Sequence, residues 1–204
     1  MAKLIDQVMN AIQNAPNGII TLDLLKSLKL CDSFTLKTTL SRLSKSGRII
    51  RLKRGTYSVN PIENAFIAAQ ATFSGYIGFS SALYLHMLIA EMPFSITVVT
   101  VNESKLKKFG SYEFRAVALK NKAVGFEKKD CIAVSTRAKT LFDCLYLEKY
   151  SIEEEKLIEA YQMKPLTPQE MREFDMYINK FIVPSKRKKF NEAKIKIKAM
   201  TRKI

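Results

Sequence analysis

Residues 48–59 constrain the fold of this chain more than any other stretch. Two short apolar-alternating runs, Arg48-Ile49-Ile50-Arg51-Leu52 and Thr56-Tyr57-Ser58-Val59, are separated by Lys53-Arg54-Gly55. Glycine there supplies the positive φ that a tight hairpin needs. Three helical patterns precede the hairpin. Leu4, Ile5, Val8, Met9 and Ile12 recur at helical spacing over residues 3–14 and stop at the turn cluster Asn14-Ala15-Pro16-Asn17-Gly18. Ile19-Ile20 reads as a short extended pair. Thr21 can then cap a helix carrying Leu22, Leu24, Leu25 and Leu28, and Asp32 or Ser33 can cap a third helix running to Ser46. Gly47 is its natural left-handed stop. Helix, short strand, helix, helix, hairpin, closed by Asn60-Pro61, is the order of a winged helix-turn-helix.

The third helix of that order carries the functional signal. Leu36, Leu40 and Leu43 fall on one side and seat it on the first two helices. At 100° per residue the opposite side collects Phe34, Thr38, Ser41, Arg42 and Lys45, with Lys37 on the flank. Small hydroxyls mixed with Arg and Lys suit a helix lying in a DNA groove, since hydroxyls and Arg reach base edges while Lys and Arg grip phosphates. The hairpin adds Arg51, Lys53 and Arg54, flanked by Arg48. The expected DNA-binding set is therefore Lys37, Thr38, Ser41, Arg42, Lys45, Arg51, Lys53 and Arg54. Phe34 has two readings, a contact with a thymine methyl or packing under the preceding loop, and stays outside the set.

Charge follows the same division. The 204 residues carry a formal net charge of +15. Residues 1–60 hold ten basic and three acidic side chains, and residues 181–204 hold nine against one. Residues 148–180 are acidic, with five basic against eight acidic. Positive charge at the two ends suits a polyanion, because neutralising phosphates releases condensed counterions. An apolar fraction of 47% belongs to an ordinary globular chain. No apolar run approaches a membrane span, and Asp6 interrupts the start where a signal peptide would stay apolar. Cys31, Cys131 and Cys144 have no metal spacing and read as reduced, mostly buried thiols of a cytoplasmic protein.

Beyond Pro61 the pattern is mixed. Helices are expected over residues 62–73 and 81–88, strands over 95–101, 113–119 and 131–134, and helices again over 135–150, 152–163 and 168–181. Ser151-Ile152-Glu153-Glu154 and Thr167-Pro168-Gln169-Glu170 both match the capping box, the second with proline at the first helical position. In the tail, Phe190, Ala193, Ile197, Met200 and Ile204 recur three and four apart with lysines between, which makes a basic amphipathic helix. Its Lys186, Arg187, Lys188 and Lys189 are candidates for sequence-independent contact with DNA. The alternative is a core-covering or dimerising helix whose lysines only face water.

Catalytic patterns are weak. His86, the single histidine, sits in an apolar helical pattern and reads as a packing residue. There is no phosphate-binding glycine loop and no zinc-ligand spacing. Lys139 and Asp143, one helical turn apart, read as a surface or capping pair. A metal-dependent nuclease could draw on Glu113, Glu127 and Asp130, although any α+β domain offers such carboxylates. No cofactor, metal or catalytic residue is expected.

Three segments resemble one family. Gly47-Arg48-Ile49-Ile50-Arg51-Leu52-Lys53-Arg54-Gly55-Thr56-Tyr57 resembles the wing of the AbiEi-type abortive-infection antitoxins, the type IV toxin-antitoxin regulators with an N-terminal winged helix. Gly75-Tyr76-Ile77-Gly78-Phe79-Ser80-Ser81-Ala82-Leu83-Tyr84-Leu85-His86 is similar to that family's glycine-tyrosine-isoleucine opening, followed by a serine-alanine-leucine helix ending in histidine. Ile132-Ala133-Val134-Ser135-Thr136-Arg137-Ala138-Lys139-Thr140-Leu141-Phe142-Asp143 resembles its strand-to-helix block. The resemblance spans about residues 15 to 150. Ser80 and Ala138 stand where the family usually has glutamate, Met87 stands where it has glycine, and the basic tail lies outside the pattern.

The expectation is an α+β chain in three parts: a winged helix-turn-helix (1–60), an α+β antitoxin-like domain with a small sheet (61–183), and a basic C-terminal helix (184–204). The resemblance implies a non-enzymatic repressor that binds double-stranded DNA at its own promoter, as two copies, and counters a nucleotidyltransferase-like toxin. A stand-alone regulator without a toxin and a nucleic-acid-processing enzyme are the alternatives.

Overall fold

A computed structural model describes residues 2–201, with side chains omitted at Ala2 and from Ala199 onward. The tail positions Met200 (side chain) and Ile204 therefore lie outside the described residues. The chain is a mixed α+β protein in two compact units, Met1–Ser74 with Phe109–Ser111, and Gly75–Lys108 with Tyr112–Ile204. Among the described residues no helix is long and apolar enough to cross a membrane.

The first unit begins with α1 (Ala2–Gln13), a single 3-10 turn at Pro16–Gly18, and β1 (Ile19–Thr21). Then come α2 (Leu22–Ser27), α3 (Ser33–Lys45), β2 (Ile49–Lys53), β3 (Thr56–Val59) and α4 (Ala65–Thr72). Local chemistry explains each boundary. The Thr21 hydroxyl accepts from the Leu24 N–H at 3.3 Å to start α2. Asp32 caps α3, its Oδ1 accepting from the N–H groups of Phe34 at 2.9 Å and Thr35 at 3.0 Å. Hydrogen bonds from Thr35, side chain and backbone, hold that carboxyl below the usual carboxylate range. At the far end of α3 Gly47 takes φ +72°, and the Arg48 N–H donates to the Leu43 carbonyl at 3.0 Å, closing the last turn.

Gly55, at φ +76°, turns β2 into β3, with Lys53 facing Thr56. A bulge between Arg51 and Lys53 shifts the register. β1 adds antiparallel to β3, giving the sheet order β1-β3-β2. The Leu22 N–H donates to the Gly55 carbonyl at 2.8 Å and ties the turn of the hairpin to the start of α2. Val8, Ile12, Ile20, Leu25, Leu36, Leu40, Leu43, Ile49, Tyr57 and Val59 form one buried core.

The boundary expected at residue 60 lies at 74 instead. α4 is mostly apolar, burying Phe66, Ala68, Ala69 and Thr72, and it packs back on β2 and β3. Asn60-Pro61 ends a strand, and the unit continues past it.

The second unit is built on a six-stranded mixed sheet of β4 (Tyr76–Ile77), β5 (Ser95–Thr100), β6 (Lys105–Phe109), β7 (Tyr112–Ala118), β8 (Phe126–Lys129) and β9 (Ile132–Ser135), ordered β6-β7-β5-β4-β9-β8. β5 runs parallel to β7 and β4 parallel to β9, while β4–β5 and β8–β9 are antiparallel. Strands β5, β7 and β9 match the sequence expectation. The other three escaped it: β4 is two residues long, and β6 and β8 are lysine-rich edges without an apolar alternation. Lysines on edge strands discourage pairing with another chain.

The α-helices described in this unit are α5 (Phe79–Leu85), α6 (Arg137–Tyr146), α7 (Glu154–Met163), α8 (Pro168–Phe181) and α9 (Lys188–Thr201). α6 is the central one, with every residue from Ala138 to Leu145 buried. The capping box at Thr167–Glu170 forms, with Pro168 in the first turn. The one expected at residues 151–154 does not, because α7 starts later and Glu153 at its N-cap makes no side-chain cap. Of the cysteines only Cys144 is buried, and burial pushes its thiol up to about 12. Cys131 is exposed and Cys31 half-buried, so the expectation of mostly buried thiols fails.

The tail is not a separate part. Phe190, Ala193 and Ile197 belong to the core of the second unit, and α9 lies against α7 and α6.

Candidate nucleic-acid interface

α3 turns its apolar side inward. Leu36, Thr39, Leu40 and Leu43 are buried, and the arc from Lys37 round to Arg42, about 140° at helical spacing, faces outward. On it Phe34, Lys37, Ser41, Arg42 and Lys45 are exposed and Thr38 is half-buried. The expected polar face is therefore present, but it is flanked by two different grooves.

The first groove, of about 700 Å³, runs between α3 and the β2–β3 hairpin. Lys37, Ser41, Ser44 and Lys45 line it from the helix, Arg51 and Arg54 from the hairpin, together with Leu22, Asp23 and Tyr57. Five of the eight expected residues thus share one cleft. Ser44 joins them, and its signal is its position three residues past Ser41 on the same flank. Lys53 is not in the lining. Read in the sequence as part of the connection between the two runs, Lys53 is instead the last residue of β2, past the bulge that follows Arg51.

The second groove, of about 380 Å³, lies on the α1 side of α3. Thr38 and Arg42 line it with Phe34, Leu4, Ile5 and Arg48. Arg48, noted in the sequence only as a flank of the hairpin, thus lines the same groove as Arg42.

Among the described residues, none of Lys37, Arg42, Lys45, Arg51, Lys53 and Arg54 forms an ion pair, whereas Asp23, the acid in the first groove, pairs with Lys26 at 3.5 Å. Unpaired cations on a shared convex-and-cleft surface can bind phosphates without first breaking protein contacts.

The tail behaves in the opposite way. Lys189 pairs with Glu148 and with Glu154 at 3.4 Å, Lys194 with Asp175, Lys196 with Glu154 at 3.9 Å, and Lys188 with Glu192 at 3.9 Å. The Arg187 guanidinium donates to the carbonyls of Ile182 at 2.9 Å and Asn179 at 3.0 Å, closing the end of α8. Of the four tail candidates, Lys186 and Lys188 stay exposed, while Arg187 and Lys189 are held within the unit. The acidic segment 148–180 is the counter-charge for this helix.

Catalytic candidates do not converge. β7, which carries Glu113, lies four strand spacings from β8, which carries Glu127, about 19 Å across the sheet. Glu113 is ion-paired with Arg115 at 3.0 Å and Lys108 at 3.5 Å. No group of three metal-ligating side chains occurs among the described residues. Lys139 and Asp143 pair as expected, but neither is at the surface: both side chains are 0% exposed, because α6 is buried on all sides.

His86 ends α5, half-buried, and its Nε2–H donates to the Ser135 carbonyl at 2.7 Å. Burial holds the imidazole below its usual range, against the Ser135 hydrogen bond and the charge of Glu127. The unfolded chain thus binds that proton more readily than the folded one, and stability falls as pH drops through the ordinary histidine range near 6.5. Asp143 has the opposite sign: burial pushes its carboxyl up to about 6, so the folded state takes up a proton there as pH falls toward 6 and partly offsets the histidine. Between pH 7.5 and pH 6 the wild type is expected to lose more of its stability than His86→Gln, the difference in their denaturation midpoints widening as pH falls. Equal slopes in the two proteins would remove His86 as the cause.

No protein-family model matches the chain, and none of the curated proteins matches it.

Proposed function

We propose that the chain is a sequence-specific, double-stranded-DNA-binding transcriptional regulator whose first unit is a winged helix-turn-helix. In this reading α3 is the recognition helix and the β2–β3 hairpin is the wing. The observation that carries it is the cleft in which Lys37, Ser41 and Lys45 of α3 face Arg51 and Arg54 of the hairpin, with the cations unpaired. A recognition helix enters the major groove while a basic wing follows the adjacent backbone.

We further propose an antitoxin-type, non-enzymatic repressor of its own toxin-antitoxin or phage-defence operon, acting in the cytoplasm as two copies against a nucleotidyltransferase-like toxin. What supports this is the arrangement of the two family-like segments in the second unit. β4 pairs with β9, α5 packs on α6, and His86 joins them through Ser135.

The test is footprinting and titration on the DNA upstream of the protein's own gene. Arg42→Ala is expected to weaken the protected site by about 1–3 kcal/mol and to change its base preference. Arg51→Ala with Arg54→Ala is expected to weaken all duplexes alike, lowering the salt slope by about 0.9 per lost phosphate contact. Equal affinity for the upstream DNA and random duplex would refute sequence-specific regulation.

A further inference from the structure

Phe34 is 80% exposed in the first turn of α3, so it does not pack under the preceding loop. The core beneath α3 is complete without it, since Leu36, Leu40 and Leu43 fill that role. The groove it borders is floored by Leu4 and Ile5 and rimmed by Arg42 and Arg48, and no acidic side chain is among its described lining residues. An apolar strip edged by arginines matches a surface that is anionic at its rim and apolar at one point. The major groove of duplex DNA is such a surface: phosphates flank it, and the thymine C5-methyl is the apolar group its base edges present.

We infer that Phe34 contacts a thymine methyl and that Arg42 reads a guanine farther along the same groove. This rests on the recognition-helix reading of α3. The spacing follows from the helix. Phe34 and Arg42 are two turns apart on one stripe, with Thr38 between them, a rise of about 12 Å. At about 3.4 Å per base pair that spans three to four base pairs. The operator half-site therefore carries a thymine and a guanine at that separation, and Phe34 is a specificity-determining residue.

Replacing thymine by uracil removes only the methyl group. A binding site is first selected from random duplex by the full chain, and each thymine in it is then changed to uracil. For the wild type, one change per half-site is expected to weaken binding about fourfold, the loss of one buried methyl. Phe34→Ala is expected to bind the thymine and uracil duplexes equally, at the wild type's affinity for the uracil form. A selected site in which every uracil replacement is neutral would overturn the inference while leaving the DNA-binding reading intact. So would a Phe34→Ala protein that keeps the methyl dependence, or one whose only change is in oligomeric state. Failure to retain any duplex would overturn both.

Discussion

Phe190→Ala is expected to destabilise the second unit by about 3–5 kcal/mol, a loss set by the cavity a buried ring leaves behind. Phe190 is 4% exposed and packs against the Phe142 ring at 5.5 Å and the Phe174 ring at 6.5 Å between centroids. Hydrogen exchange at the α6 amides reads the loss locally, because Phe142 lies on α6. A change below about 1 kcal/mol would mean that α9 does not cover this core. The result also decides how the tail must be tested for DNA contact. Truncation after Val183 removes Phe190, Ala193 and Ile197 together with four lysines paired to Glu148, Glu154, Asp175 and Glu192, and so measures folding. Neutralising the exposed Lys186 and Lys188 instead keeps the apolar stripe. A lower salt slope in that variant would count phosphate contacts.

Lys139→Met is expected to cost about 3–5 kcal/mol of stability, because it leaves the Asp143 carboxylate buried without its cation. The cost is high here for two reasons. Asp143 Oδ2 already has no hydrogen-bond partner among the described residues, and the ammonium of Lys139 lies over the rings of Phe142 and Tyr177, 5.4 and 5.8 Å from their centroids. Burial disfavours the charged form of both groups, raising the Asp143 carboxyl and lowering the Lys139 ammonium. The double change Lys139→Met with Asp143→Leu removes both charges and is expected to recover most of the loss. Thermal melts of the two variants at pH 7 make the comparison. A double variant no more stable than the single would show that the pair contributes more than mutual neutralisation.

These two sites mark where reading along the chain stops. The caps at Thr21, Asp32 and Thr167, the stop at Gly47 and the turn at Gly55 were legible because each is an interaction between residues a few positions apart. The outward face of α3 was legible for the same reason, since helical periodicity alone separates Leu36, Leu40 and Leu43 from Lys37, Ser41, Arg42 and Lys45. Lys139 and Asp143 were recognisable as a pair, but not as a buried one, because their burial comes from α5, α8 and α9 packing around α6. The edge strands β6 and β8 carry lysines rather than an alternating pattern, so only their pairing partners identify them. The exposure of Phe34, the division of the α3 face between two grooves, and the acids that neutralise α9 depend on contacts distant in sequence. Local hydrogen bonding and periodicity are written in neighbouring residues, whereas burial and charge pairing arise only when remote segments meet.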